Sequence, residues 1–273
     1  MSTTAQPTIL FLGATGGVTN AGLVHSLKAG YQCTALVRTP EKLRKMLTDQ
    51  DLTEAELNSL LITPKGNALS IADVKGALTV GGPGSLPSYI VFGLGGAPHL
   101  RFDIWHPLQF AGLDQPNICG DAAQTLIKAL SELYTEQPQL KAKKPALVFV
   151  STTGISDGPE DVPFWYRFLY RQLLHLPHVD KRNMENEFRA NVRASEDQKA
   201  FRIATGLRPT ILLGASDIND KYGQDTIRVG TEQRPAQGYV IKRADVGEWL
   251  FRNLIESDAG KSRYEGEMVS LTC

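Results

Sequence analysis

Residues 8–30 read Thr8-Ile-Leu-Phe-Leu-Gly13-Ala-Thr15-Gly16-Gly17-Val18-Thr19-Asn-Ala-Gly-Leu23-Val24-His-Ser-Leu27-Lys-Ala-Gly30. Ile9 to Leu12 have the length and composition of a strand buried on both faces of a parallel sheet. Gly13, Gly16 and Gly17 follow at once. Leu23, Val24 and Leu27 then recur at helical spacing, and Gly30 suits a helix C-cap. A strand, a tight turn and a helix N-terminus in that order make a phosphate site. The turn lets the backbone approach an anion closely, and unpaired N–H groups and the helix dipole stabilise its charge. The third glycine position of the pattern holds Thr19, so a tight turn in some other α/β fold is the alternative reading.

The next segment narrows the choice. Gln32 to Val37 reads as a second strand, and it ends in Arg38 rather than an acid. An acid there would bond the ribose hydroxyls of NAD and repel a phosphate; an arginine favours the 2′-phosphate of NADP. Thr39 then reads as an N-cap and Pro40 as the first residue of a helix, which puts Lys42 on its first turn as a second cation. The plain alternative for both cations is solvation at the surface. Together these two βα units predict an α/β fold of Rossmann type, doubly wound around a mainly parallel sheet.

The rest of the sequence agrees in class. Its 273 residues carry 29 Lys plus Arg against 29 Asp plus Glu, so no net field favours nucleic acid or an anionic membrane. No apolar run reaches membrane-spanning length and residues 1–7 lack the parts of a signal peptide, so a cytoplasmic protein is expected. Cys33, Cys119 and Cys273 have neither zinc nor redox spacing, and the five histidines give no metal pair. Apolar periodicity predicts helices over 41–61 with a break near Asp49-Gln50-Asp51, over 71–78, 121–133, 164–176, 181–200 and 244–255. It predicts strands over 60–63, 89–92, 146–150, 207–213 and 268–271. Pro209 would restrict the sixth strand to an edge or to its beginning. Residues 97–120 form a long aromatic segment without clear period.

Several stretches, taken in order, resemble the atypical short-chain dehydrogenases, and most closely the NmrA-like fungal NAD(P)-binding proteins. They are Gly13-Ala-Thr15-Gly16-Gly17, Val37-Arg38-Thr39-Pro40-Glu41-Lys42-Leu43, Val150-Ser151-Thr152-Thr153-Gly154-Ile155-Ser156, Asp180-Lys181 with Met184-Glu185, Leu207-Arg208-Pro209-Thr210, and Ile241-Lys242-Arg243-Ala244-Asp245-Val246. The resemblance implies one NAD(P)-binding domain over 1–273, with a small C-terminal substrate region built from about 97–120, 155–180 and 213–240. It implies an NADP(H) site at Gly13, Thr15, Gly16, Gly17, Val18, Arg38, Lys42, Asn67, Ala68, Gly93 and Leu94.

For chemistry, the wider family uses a serine, a tyrosine as general acid and a lysine four residues later. Ser151 stands at the topological place of the serine. Tyr166 follows, but four residues after it comes Tyr170, so the Tyr-x-x-x-Lys pair is absent. Lys181 is the substitute lysine, with a surface lysine at a helix start as the equal alternative. Tyr166 has core packing as its alternative, and Ser151 a capping role. Trp105, His106, Phe110 and Tyr170 are the candidate contacts for a hydrophobic small-molecule substrate. The resemblance implies an NADPH-dependent oxidoreductase of fungal secondary metabolism. Two alternatives stand beside it: an NADPH-bound cyclase or isomerase, and a non-catalytic dinucleotide-sensing regulator.

Overall fold

A computed structural model describes residues 7–82, 84–95, 98–100, 111–113, 117–163, 175–256 and 262–273, with backbone alone for 98–100, 111–113 and 175–177. Its centre is an eight-stranded sheet. Strands β1 (Ile9–Leu12), β2 (Cys33–Leu36), β3 (Leu61–Ile62), β4 (Tyr89–Phe92), β7 (Ala146–Val150), β8 (Ile203–Pro209), β10 (Arg228–Thr231) and β12 (Met268–Thr272) lie in the order β10-β12-β8-β7-β4-β1-β2-β3. All neighbours are parallel except the edge pair β10–β12. The sheet is therefore the doubly wound, mainly parallel one the sequence predicts. The chain runs outward from β1 to β3 and then returns to β4 on the other side of β1, which puts the topological switch point between β1 and β4.

Parallel strands buried on both faces have no polar side, and their alternation shows only in which layer each residue fills. Ile9 and Phe11 of β1 enter one core with Leu23, Val24, Trp249 and Leu250. Leu10 and Leu12 enter the other with Val74, Leu126, Leu130 and Phe188. The first layer carries helices α1 (Gly17–Lys28) and α7 (Arg243–Leu250), the second α4 (Ile71–Leu78), α5 (Ile118–Glu136) and α6 (His175–Arg193). The run from Pro40 breaks as expected, into α2 (Pro40–Thr48) and α3 (Glu54–Leu60). Asp51 sits at φ 66° between them, and Thr53 and Glu56 start α3 with a capping box.

Register positions the site. Leu12 pairs with both Leu36 and Phe92, and Phe92 with Phe149. The chain therefore leaves β1, β2, β4 and β7 at nearly one level, and the four turns that follow face a common space.

Several expectations need correction. The predicted helix over 181–200 is α6, which begins earlier, at His175, and ends at Arg193; beyond it the Ala200 N–H donates to the Asn191 side-chain oxygen at 2.9 Å. The predicted strand over 207–213 is two strands, β8 and β9 (Ile211–Leu213), and the second pairs with β11 (Val240–Lys242) outside the main sheet. Pro209 lies neither on an edge strand nor at a strand start. It ends β8 between β7 and β12, where its carbonyl still accepts from the Thr153 N–H at 3.1 Å. The start of β8 is hidden in sequence because Gly206 is filled by its neighbours: a Cβ there would lie 2.3 Å from Met268 Cε. The segment over 97–120 contains an antiparallel pair, β5 (Pro98–Leu100) with β6 (Ala111–Leu113). The predicted helix over 164–176 falls mostly outside the described residues.

Candidate active site

The turn after β1 is closed by contact with the turn after β4. Gly13 adopts φ 87°, and a Cβ there would lie 2.7 Å from the Gly93 carbonyl oxygen. The Thr19 hydroxyl donates to the Gly13 carbonyl at 2.8 Å, and a Cβ on Gly93 would meet that hydroxyl oxygen at 2.6 Å. This accounts for threonine where the pattern has a third glycine: a hydroxyl bond pins α1 to the turn. Gly16 caps α1 without a side chain, and the first turn of that helix has no acid. Its positive end is left for an anion.

The four turns enclose a cavity of about 590 Å³. Gly13, Thr15, Gly16, Gly17, Val18, Arg38, Lys42, Asn67, Ala68, Gly93 and Leu94 all line it, as do Ser151 and Lys181. The sequence-predicted residues that can be placed thus share one space. Arg38 and Lys42 stand exposed at the β2 end, and neither makes an ion pair with a described residue. Tyr166, Tyr170, Trp105, His106 and Phe110 lie outside the described residues.

The β7 end is built differently. Ser151 is 4 % exposed, and its hydroxyl has no hydrogen-bond partner among the described residues. Its N–H donates to the Leu207 carbonyl at 2.7 Å. Lys181 Nζ donates to the carbonyls of Leu94 and Val150, each at 2.8 Å, and so ties the ends of β4 and β7 together. The adjacent Asp180 accepts from the N–H groups of Cys119 and Gly120, at 3.0 and 2.9 Å, and caps α5. Burial pushes the Cys119 thiol up to about 11, which leaves it a neutral thiol bonded to the Leu94 carbonyl at 3.3 Å. In the turn after Ser151, the Asp161 carboxyl accepts from the Gly154 N–H at 2.9 Å, and its second oxygen is buried without a partner among the described residues. Burial pushes that carboxyl up from the usual range.

Three residues of the site escape a reading of sequence. Asn20 donates to the Ala14 carbonyl at 3.0 Å and accepts from Gln50 at 2.8 Å, and Gln50 accepts from the Ile218 N–H at 3.0 Å. This buried relay ties the glycine turn to the segment after β9. The signal was present in Gln50, a polar residue at a helix break that is 6 % exposed. The third is Arg243, at the first position of α7, which lines the cavity beside Gly17.

A nicotinamide dinucleotide fits these residues on three counts. The turn can hold backbone at contact distance only with glycine, α1 presents an uncapped positive end, and Ser151 offers a hydroxyl without a partner among the described residues. The fold and this cavity define a doubly wound α/β protein with a dinucleotide-type site at its switch point.

No family model matches the sequence. Oxidase pynE of Aspergillus niger is 37 % identical over 292 aligned residues, covering 98 % of this chain and 99 % of that protein. Reductase pytE of Aspergillus terreus is 38 % identical over 273, covering 98 % of each. Among solved structures, a short-chain dehydrogenase/reductase from Veillonella parvula aligns with TM-score 0.65 at 14 % identity, over 97 % of this chain and 94 % of that one. ChuY, an anaerobillin reductase from Escherichia coli, aligns with TM-score 0.60 at 18 % identity, over 97 % and 96 %. These two show the fold. The chain belongs to the family of oxidoreductases that contains pynE and pytE.

Proposed function

We propose that this chain is an NADP(H)-dependent oxidoreductase, an atypical short-chain dehydrogenase of NmrA-like kind that acts on a hydrophobic small molecule in fungal secondary-metabolite biosynthesis. In this reading the whole chain works as one dinucleotide-binding unit, and substrate is held by residues about 97–120, 155–180 and 213–240. The observation that carries it is the convergence of the glycine turn, Arg38, Lys42, Ser151 and Lys181 on one cavity.

When bound, the nicotinamide ring supplies hydride transfer. The residues of the chain supply position and a proton. Arg38 and Lys42 bind the 2′-phosphate, and the uncapped end of α1 binds the diphosphate. Lys181 has three donors, of which two are fixed on the carbonyls of Leu94 and Val150. Its remaining N–H serves the nicotinamide ribose or the substrate oxygen. Ser151 donates or accepts one hydrogen bond from a buried position in the cavity wall.

A redox-neutral reaction on the same scaffold, a cyclisation or isomerisation, is the second reading. It is favoured by Pro177, which stands four residues before Lys181 where a reductase would carry its tyrosine. The positioning of a reactive substrate would then do the chemical work. Incubation of the protein with NADPH and a fungal metabolite extract, followed by mass spectrometry, separates the readings. A product heavier by two hydrogens supports reduction. An isomer of equal mass supports the second reading, and no new product with retained NADPH binding would leave a dinucleotide sensor.

A further inference from the structure

We propose that Arg243 is a third cation of the cofactor site and holds the diphosphate from the α7 side. This rests on the dinucleotide reading above. Arg243 lies far along the chain from the glycine turn, and two glycines bring it there. At Gly247 a Cβ would stand 2.5 Å from Ala21 Cβ and 2.7 Å from the Val18 carbonyl oxygen, so α7 crosses α1 at backbone contact. Arg243 is one helical turn before Gly247 on the same face. It therefore lands on the first turn of α1. A Cβ on Gly17 would lie 2.3 Å from Arg243 Cδ. Gly17 is thus specified by the arginine stem that crosses it.

The charge of Arg243 is unanswered by the protein. Its Nη1 donates to the Gly214 carbonyl, a neutral acceptor, and no carboxylate pairs with it among the described residues. Two acids close to it in sequence or fold are engaged by other groups. Asp245 accepts from the N–H groups of Tyr222 and Gly223, and Asp220 pairs with Lys242. The Arg243 side chain also stands at two helix N-termini, that of α1 and that of its own helix, where positive charge is disfavoured. A cation placed against two positive helix ends, in a cavity that already presents free N–H groups, is stabilised by an anion between them. Among the described residues the Gly214 carbonyl is the one hydrogen-bond partner of its five N–H donors, which lie in the fork geometry that suits phosphate oxygens.

The test is a titration of Arg243→Met, which keeps an apolar stem over Gly17, with NADPH, NADH and adenosine 2′-monophosphate. The last of these carries the 2′-phosphate without a diphosphate. NADPH and NADH should both bind about 10- to 100-fold more weakly, as expected for loss of a charge-assisted hydrogen bond. Adenosine 2′-monophosphate should bind as to wild type, and Arg243→Lys should fall between. Unchanged dinucleotide affinity in Arg243→Met overturns the proposal. So does an equal loss for adenosine 2′-monophosphate, which would make Arg243 a brace of the whole site. A wild-type protein that binds no dinucleotide would instead remove the reading on which the proposal rests, so the two failures are distinguishable.

Discussion

The two ends of the cavity are built on opposite principles. At the β2 end, Arg38 and Lys42 are exposed cations that no carboxylate of the described residues engages. At the β7 end, Lys181 is fixed on two carbonyls, Asp180 caps α5, and the Ser151–Gly154 turn is braced by Leu207, Pro209 and Asp161. Long exposed cations cost little to leave free and gain when a phosphate arrives. A proton donor must be in place before a reaction, and in the proposed reading Lys181 is ordered for that role in advance. In the proposed reading one end selects a ligand and the other holds chemistry ready.

That contrast can be broken in several places. The largest effect is expected at Lys181. Lys181→Ala should lower turnover by about 100-fold or more while NADPH affinity stays within about threefold. Its melting temperature should also fall, because the Leu94 and Val150 carbonyls lose their donor. Unchanged turnover would make Lys181 a structural tie. Ser151→Ala should lower turnover about tenfold, one hydrogen bond in the transition state. It should leave thermal stability unchanged or slightly raised, because the hydroxyl it removes is buried and without a partner among the described residues; a clear loss of stability would reveal a partner.

The smallest effect concerns Asp161, and its sign follows from burial. Its carboxyl is raised in the folded state, so between the ordinary carboxylate range and its folded value the native protein binds more protons than the unfolded chain. The stability it contributes is present in acid and is lost as pH rises through the folded value. Asp161→Asn keeps an acceptor for the Gly154 N–H. It should therefore melt slightly higher than wild type at neutral pH, and the difference should vanish toward pH 3. A lower melting temperature at neutral pH would mean that the ionised form is compensated.

The same two ends differ in how far sequence shows them. The β2 end is local: Arg38 follows an apolar strand, Thr39 and Pro40 start a helix, and the glycine turn sits between strand and helix. Each of those residues is read from its neighbours, and all but Pro40 line the cavity. Ser151 and Lys181 were equally visible, one at the end of an apolar strand and one at a helix with a charged face. What sequence hides is contact between distant elements. Arg243 reaches Gly17 only because Gly247 lets two helices touch, and Asn20 reaches Gln50 across a helix break. The edge strand β10 and strand β11 are short and only partly buried, so no apolar run announces them, and the apolar run of β9 reads as a continuation of β8. Pro209 misled because its missing N–H matters less at the end of a strand than in its middle.

The central claim is that a glycine cradle grips a dinucleotide and that Arg38 selects its 2′-phosphate. Calorimetric titration of wild type and Arg38→Glu with NADPH and NADH tests it most directly. The account predicts that wild type prefers NADPH and that the substitution weakens NADPH by about 100-fold, as loss of a charge-assisted contact with added repulsion requires, while NADH changes little. Equal losses for the two coenzymes, or no binding of either by wild type, would contradict it.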